Sequence, residues 1–271
     1  MDESTVYRLR AGRVPLLISL PHTGSEIPWA EHGRYRSRAL ASEDSDWHLE
    51  AVYGPIAEAL GASLLVPRYS RYLIDLNRPS DDRPMYAGAN NTELCPTRFF
   101  DGTPLYREGR APDELERARR VEHFWQPYHG ALQRELARLR ALHGVALLWD
   151  GHSIESELPW LFEGRLPDLS LGSNAGQACG AAGLQAVAAV LAGQRSYSHV
   201  VDGRFKGGHI TRHYGQPQDG IHALQMEMVQ AIYMLEDKAH PPPRPLQEAK
   251  AAQLRPLLQA CLQAFLDATT P

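Results

Sequence analysis

Three short runs of apolar residues set the frame of this chain. Val14 to Leu20, Ala62 to Val66 and Val145 to Trp149 are almost uninterrupted, the mark of strands buried on both faces. Two of them run into polar turns that carry a histidine: Pro21-His-Thr-Gly-Ser-Glu26 after the first, and Asp150-Gly-His-Ser153 after the third. Gly151 is placed to let the backbone turn where the second cluster begins. Open α/β sheets gather their chemistry at the carboxyl ends of strands, so His22 and His152 stand where a site is expected. Two further segments alternate with period two. Tyr72 to Asn77 predicts a strand with one polar face, lining a cavity with Arg71, Asp75, Asn77 and Arg78. His222 to Met228 sets Leu224, Met226 and Met228 against Gln225 and Glu227. As a strand it aims Glu227 into the cavity, and as an amphipathic helix it leaves the glutamate exposed.

Helical spacing fills much of the rest. Leu49, Val52, Tyr53, Ile56 and Leu60 recur at three and four residues, with Pro55 placed to kink the helix and Asp44 or Asp46 placed to cap it. From Pro112, an apolar face of Leu115, Ala118, Val121, Phe124 and Trp125 continues through Leu132, Leu136 and Leu139, past a break expected near Pro127. His123 and His129 on it read as structural. Ser173-Asn174 is placed to cap an Ala-rich helix ending near Ala192. Pro245 to Ala268 reads as a broken C-terminal helix. Asp202-Gly203, between Tyr197–Val201 and Arg204–His209, is a hairpin signal. Glycines beside Arg204, Lys206 and Arg212 suit an anion pocket, though without Walker spacing. No period is sustained over about 79–111, and a loop of that length is expected to be a lid over a site.

Composition narrows the class. With 271 residues, 43% hydrophobic and 22% charged, the chain suits one globular domain over 1–271 with a single sizeable core. A net charge of -4 argues against a nucleic-acid partner, which would require a basic face. Arginine supplies 25 of the 28 basic residues, a bias that suits planar carboxylates and also follows from a GC-rich genome. Met1 to Thr5 is acidic where a signal peptide would be basic and then apolar, and the early apolar run is too short to span a membrane. A cytoplasmic location without membrane attachment is expected. Cys95, Cys179 and Cys261 are odd in number and widely spaced, which indicates neither a disulfide framework nor a zinc ribbon. Oligomeric state has no sequence signal.

Two histidines at strand ends of one sheet can converge on a metal. Neutral imidazole is the commonest protein ligand for zinc, and a catalytic site takes three protein ligands with a fourth position open. No cysteine is suitably placed, so the third ligand is sought among carboxylates. Asp46 is expected there, with Asp44 as cap or outer partner; Glu26, four residues from His22, is the rival. A serine nucleophile is weaker, because Gly151-His-Ser-Ile-Glu155 puts Glu155 where a nucleophile elbow needs glycine.

Taken together, Pro21-His-Thr-Gly24, Asp44-Ser-Asp-Trp-His48, Arg71 to Pro79, Asp150-Gly-His-Ser-Ile154, Gly203-Arg-Phe-Lys-Gly-Gly208 and Gln225-Met-Glu227 strongly resemble the N-formylglutamate amidohydrolase (N-formylglutamate deformylase) family. Leu161-Phe-Glu-Gly164 and Thr211-Arg-His-Tyr-Gly215 stand between them, so the likeness covers residues 20 to 235, roughly. That family is similar to zinc carboxypeptidases. The resemblance implies an α/β fold of three layers, a mixed β-sheet sandwiched by helices with a metal at the strand ends. It also implies hydrolysis of N-formyl-L-glutamate to formate and L-glutamate, the last step of one bacterial route of histidine degradation. The roles it implies are Zn2+, or another divalent transition metal, on His22, Asp46 and His152; Glu227 as general base; Arg71 on the oxyanion; Asn77 and Arg78 on the α-carboxylate; and Arg212 on the side-chain carboxylate. The His-x-x-Glu spacing of the peptidases is absent, since Ser25 stands three after His22. Alternatives are a zinc-dependent deacylase of another acyl-amino acid, or a non-catalytic protein on this fold that binds a carboxylate or a metal.

Overall fold

The computed structural model describes residues 6–84, 92–237 and 239–270. Its elements in chain order are β1 (Tyr7–Arg10), β2 (Leu16–Ser19), α1 (Leu49–Leu60), β3 (Ser63–Pro67), α2 (Glu114–Arg120), α3 (Gln126–His143), β4 (Ala146–Ile154), β5 (Leu169–Gly172), α4 (Ala181–Ala192), β6 (His199–Val201), α5 (His209–Tyr214), β7 (Ile221–Val229) and α6 (Glu248–Thr269). The apolar runs become β2, β3 and β4, each buried along its whole length. The strands form one mixed sheet in the order β1-β3-β2-β4-β7-β5-β6. Its centre, β3-β2-β4-β7, is parallel, while β1 and β5 join antiparallel on either side.

Burial on both faces explains why these strands are apolar throughout. Leu16, Ile18, Leu147, Trp149, Leu224 and Met226 face one core with α1, α4 and α6; Leu17, Leu65, Leu148 and Ala223 face the other, with α3 and α5. This is the expected α/β arrangement of a mixed sheet between helical layers. No helix among the described residues is long and apolar enough to cross a membrane.

Several local expectations are corrected. β4 does not turn at Gly151 but continues to Ile154, held by an unbroken register with β7. A β-carbon at Gly151 would lie 2.7 Å from Leu20 Cδ2 and 3.1 Å from Tyr53 Cε2, so the glycine serves close packing. Tyr72 to Asn77 is not a strand. All six residues are buried, so their alternation sorts nothing into inside and outside. The segment folds as turns, with Leu73 N donating to Ser70 O at 2.9 Å, Asp75 N to Leu94 O at 2.7 Å and Asn77 N to Asp75 Oδ1 at 2.8 Å.

Neither Asp44 nor Asp46 caps α1, which starts after His48 without a side-chain cap and runs through Pro55. α6 is likewise continuous through Pro256. Ser173 does not cap α4, which begins after Gly180. Its N–H and hydroxyl donate instead to Asp202, which ties Asp202 to β5 and replaces the expected hairpin by a parallel β5–β6 pair. Among the described residues, 79–84 and 92–111 carry only isolated bridges, such as Arg98 with Pro104; 85–91 of the expected lid lie outside the described residues.

The helix from Pro112 departs most from its pattern. Leu115 is 73% exposed, while Arg120 is 1% exposed. Arg120 donates to Glu116 Oε1 at 3.0 Å, Glu31 Oε2 at 2.9 Å, Tyr106 Oη at 2.9 Å and Leu73 O at 2.9 Å. A polar network, not an apolar stripe, therefore docks α2. A π turn over Val121–Trp125 then leads into α3, with Pro127 in its first turn. Trp125 stacks on His129 at 3.6 Å and donates Nε1–H to Arg78 O at 2.9 Å. His129 Nε2 must donate to the Leu76 carbonyl at 2.9 Å, which leaves Nδ1 to accept from Tyr214 Oη at 2.8 Å. The helix thus anchors the 70–78 turns from beneath.

Burial pushes His129 down to about 3 from its ordinary 6.5. The folded state therefore binds its proton more weakly than the unfolded chain does. The stabilisation is complete above the unfolded value and is lost as pH falls toward the folded one. We expect urea titrations between pH 6.5 and 4.5, roughly, to show wild-type stability falling up to about 1.4 kcal/mol per pH unit more steeply than that of His129→Gln. Parallel curves would show that His129 is not the group responsible.

Candidate active site

The carboxyl ends of β2, β4 and β7 meet on one side of the sheet. His22 follows β2, His152 lies near the end of β4, and Glu227 is its in-register partner on β7. Asp150 and Gln225 pair likewise. Partners in a parallel ladder point to one face, so these residues form a two-by-two polar patch at the mouth of the sheet. Asp46 arrives from the loop before α1. Its N–H donates to His22 O at 2.9 Å, and Ser153 N donates to its Oδ2 at 3.1 Å. The hydroxyl of Tyr233 locks the other side, lying 3.0 Å from Trp47 O and 2.7 Å from Ser153 Oγ.

His22, Asp46 and His152 place one potential ligand atom each within 4.8 Å of the others. Asp46 Oδ2 lies 3.8 Å from His22 Nδ1 and 3.2 Å from His152 Nδ1. The far nitrogens face carboxylates: His22 Nε2 lies 2.7 Å from Asp75 Oδ1, and His152 Nε2 lies 3.2 Å from Asp150 Oδ1. Asp75 can only accept, so His22 carries its proton on Nε2 and turns a bare Nδ1 inward. That Nδ1 and Asp46 Oδ1 are both buried without a hydrogen-bond partner. Of the rival acids, Glu26 is exposed and pairs with Arg68 at 2.8 Å. Asp44 points away, accepting from Tyr72 Oη at 2.6 Å and Phe100 N at 2.9 Å, and burial raises it to about 6.

Charge sharpens the picture. Asp46, Asp75, Asp150 and Glu227 are buried together with one buried arginine, Arg71. Burial, aided by the Arg71 charge, lowers His22. Burial also opposes protonation of His152, but Asp150, Asp46 and Glu227 outweigh it and raise His152 well above its ordinary value. Burial pushes Glu227 up to about 8. The donor set of two imidazoles and a carboxylate, the orphaned inward atoms and the excess of buried carboxyls all fit a divalent cation. Its charge would draw Glu227 down toward the neutral range.

The site opens into a cavity of about 410 Å³. Glu227, Arg71, Asn77 and Arg78 line it with the three candidate ligands, and Phe100, Ile154, Leu161, Phe162 and Phe205 supply apolar wall. Arg71 Nη2 donates to Asp75 Oδ2 at 2.7 Å, and its guanidinium lies over Phe100 at 4.8 Å. Asn77 Oδ1 accepts from Ile210 N at 2.8 Å, while Nδ2 sits 2.8 Å from His152 Nε2 and 3.3 Å from Asp150 Oδ2. Arg212 does not line the cavity; it stands on α5 and donates Nε–H to Gly207 O at 2.8 Å. Arg204 lines it instead. The sequence marked Arg204 only as one of three cations beside glycines. It named Phe205 only within the Gly203–Gly208 motif, and gave no signal for Phe100, which comes from a loop without a period, or for the pairing of Asp75 with His22.

The sequence profile of the N-formylglutamate amidohydrolase family matches residues 14–234. The N-formylglutamate deformylase of Pseudomonas aeruginosa is 52% identical over 262 residues, covering 97% of each chain. That of Pseudomonas putida is 48% identical over 257 residues, covering 95% of this chain and 96% of the relative. The crystal structure of N-formylglutamate amidohydrolase from Ralstonia eutropha JMP134 superposes with a TM-score of 0.80 at 22% identity, over 97% of this chain and 98% of that one. At that identity the likeness speaks to the fold alone. With a profile spanning most of its length and relatives near half identity end to end, the chain belongs to the N-formylglutamate amidohydrolase family.

Proposed function

We propose that this protein hydrolyses N-formyl-L-glutamate to formate and L-glutamate with the help of a divalent metal, zinc in the first instance, held by His22, Asp46 and His152. One observation carries the reading: the inward atoms of these residues converge, two of them orphaned, at a cavity that also holds Glu227 and arginines. The names of the relatives at about half identity supply the substrate. The reaction belongs at the end of a bacterial route of histidine degradation, in the cytoplasm.

A metal in this position supplies Lewis-acid chemistry, making water more acidic and polarising the formyl oxygen. The chain does the rest. Glu227, beside His152 in the register of β4 and β7, takes a proton from the water whose oxygen adds to the formyl carbon. It returns that proton to the amide nitrogen as the C–N bond breaks, so that glutamate leaves as an amine. Arg71, fixed by Asp75, directs its remaining N–H groups at the oxygen that gains negative charge. Asn77 orients His152, and with Arg78 it receives the α-carboxylate. The apolar walls keep bulk water from competing.

The purified protein is expected to release formate from N-formyl-L-glutamate, to stop after chelation and to recover with zinc; a folded, zinc-loaded sample that releases none would refute the reading. Glu227→Gln should keep metal affinity, measured by chelator competition, while kcat falls about 10²- to 10⁴-fold. A turnover close to wild type would remove Glu227 from proton transfer. Arg78→Gln should raise KM by about 10- to 100-fold with a smaller change in kcat, and steady-state kinetics showing the loss mainly in kcat would place Arg78 elsewhere in the reaction.

A further inference from the structure

The cavity carries more positive charge than the chemistry at the triad uses. Arg71 is already matched by Asp75. The two other arginines that line the cavity meet only neutral acceptors. Arg78 donates to Thr92 O at 3.0 Å, Asn77 O at 3.0 Å and Thr92 Oγ1 at 2.7 Å. Arg204 donates from Nη2 to Leu161 O at 2.6 Å, and its guanidinium carbon lies 5.1 Å from the centroid of the Phe162 ring. Among the described residues neither is paired with a carboxylate, whereas Arg8, Arg38, Arg68, Arg120, Arg138 and Arg244 all are. A guanidinium offers five N–H donors in a planar fork. Each of these two arginines therefore keeps donors and an unbalanced charge for an anion that enters the cavity.

Their depths differ. Arg78 is half-buried and directly follows Asn77, whose amide lies 2.8 Å from His152 Nε2, which makes it the inner of the two. Arg204 is exposed, on the segment facing Leu161 and Phe162, and belongs to the rim. An N-acylglutamate carries its charges in a matching order. Its α-carboxylate sits on the carbon bonded to the scissile nitrogen, and its second carboxylate lies beyond two methylenes. With the acyl carbon at the triad, the first charge falls at the inner arginine and the second is carried outward along apolar wall. The Phe162 ring and Leu161 O hold the guanidinium at the rim, which limits its freedom before a planar partner arrives.

Resting on the N-formylglutamate reading above, we propose that Arg204 recognises the side-chain carboxylate and sets the preference for glutamate over glutamine. Arg212, the residue the sequence resemblance would select, is turned onto Gly207 O outside the cavity lining.

The test compares N-formyl-L-glutamate with N-formyl-L-glutamine, which has the same shape without the second charge, on zinc-loaded wild type, Arg204→Gln and Arg212→Gln. For Arg204→Gln, kcat/KM for the glutamate substrate should fall about 10- to 100-fold, mainly through KM. The value for the glutamine substrate should change by less than about threefold, so discrimination collapses. An Arg204→Gln enzyme that keeps wild-type discrimination, or an Arg212→Gln enzyme that loses it instead, overturns the proposal. Calorimetric binding of L-glutamate and L-glutamine to the same proteins reads the pocket without turnover. Wild type that releases no formate but binds glutamate through Arg204 would sink the functional reading and leave this assignment standing. Formate release with binding indifferent to Arg204 would do the reverse.

Discussion

Burying four carboxyl groups around one arginine is the constraint on which the rest of this structure turns. Away from water, carboxylates repel one another and lose hydration. The protein tolerates Asp46, Asp75, Asp150 and Glu227 in one site by giving the three aspartates definite partners. Asp75 is held between His22 and Arg71, Asp150 between His152, Asn77 and Thr211, and Asp46 against the Ser153 N–H and His152. Asp46 Oδ1 and His22 Nδ1 are left over, the two atoms a cation would claim. The charge that makes the site costly is the charge that suits it to a cation.

Such an arrangement requires a stiff frame, and the frame is the parallel core of the sheet. A one-residue slip between β4 and β7 would move Glu227 to the opposite face, into the core formed by Leu224 and Met226. The apolar partners on that face pin the register that the polar patch needs. Packing energy on one side of the sheet thus secures electrostatics on the other. The 70–78 turns have no ladder to hold them. Their rigidity comes from beneath, through Arg120 on Leu73 O, His129 on Leu76 O and Trp125 on Arg78 O. Buried polar side chains on α2 and α3 stand in for the missing sheet partners.

This division explains which parts of the protein could be read from its residues. His22 and His152 were legible because each follows a run of apolar residues long enough to be a core strand and no longer. Glu227 was legible as one of two readings, since period-two alternation in a short segment is also compatible with a helix until a partner strand is known. Alternation misled at Tyr72 to Asn77, where burial on every side removes the contrast that period two reports. Amphipathic spacing misled at Leu115 for the opposite reason: α2 is docked by a charged residue, and hydrophobicity points the wrong way. Arg204 and Arg212 both stand in one glycine-containing stretch. Arg204 lines the cavity and Arg212 does not, and no side-chain pattern encodes which.

The same contrast separates chemistry from recognition within the cavity. The candidate ligands and Glu227 are carried by strand ends and by a loop bonded directly to them, so their relative positions are fixed by the ladder of the sheet. The arginines proposed to meet the substrate's charges, and the phenylalanines that line the cavity, come from connections. Arg78 leaves the 70–78 turns, and Arg204 rests on the Leu161–Phe162 segment through one carbonyl and one ring. Strands hold reacting groups to a fraction of an ångström, whereas loops can change length and composition without disturbing them. A scaffold built this way can exchange rim residues, and so the ligands it accepts, while the buried carboxylates at the strand ends stay in place.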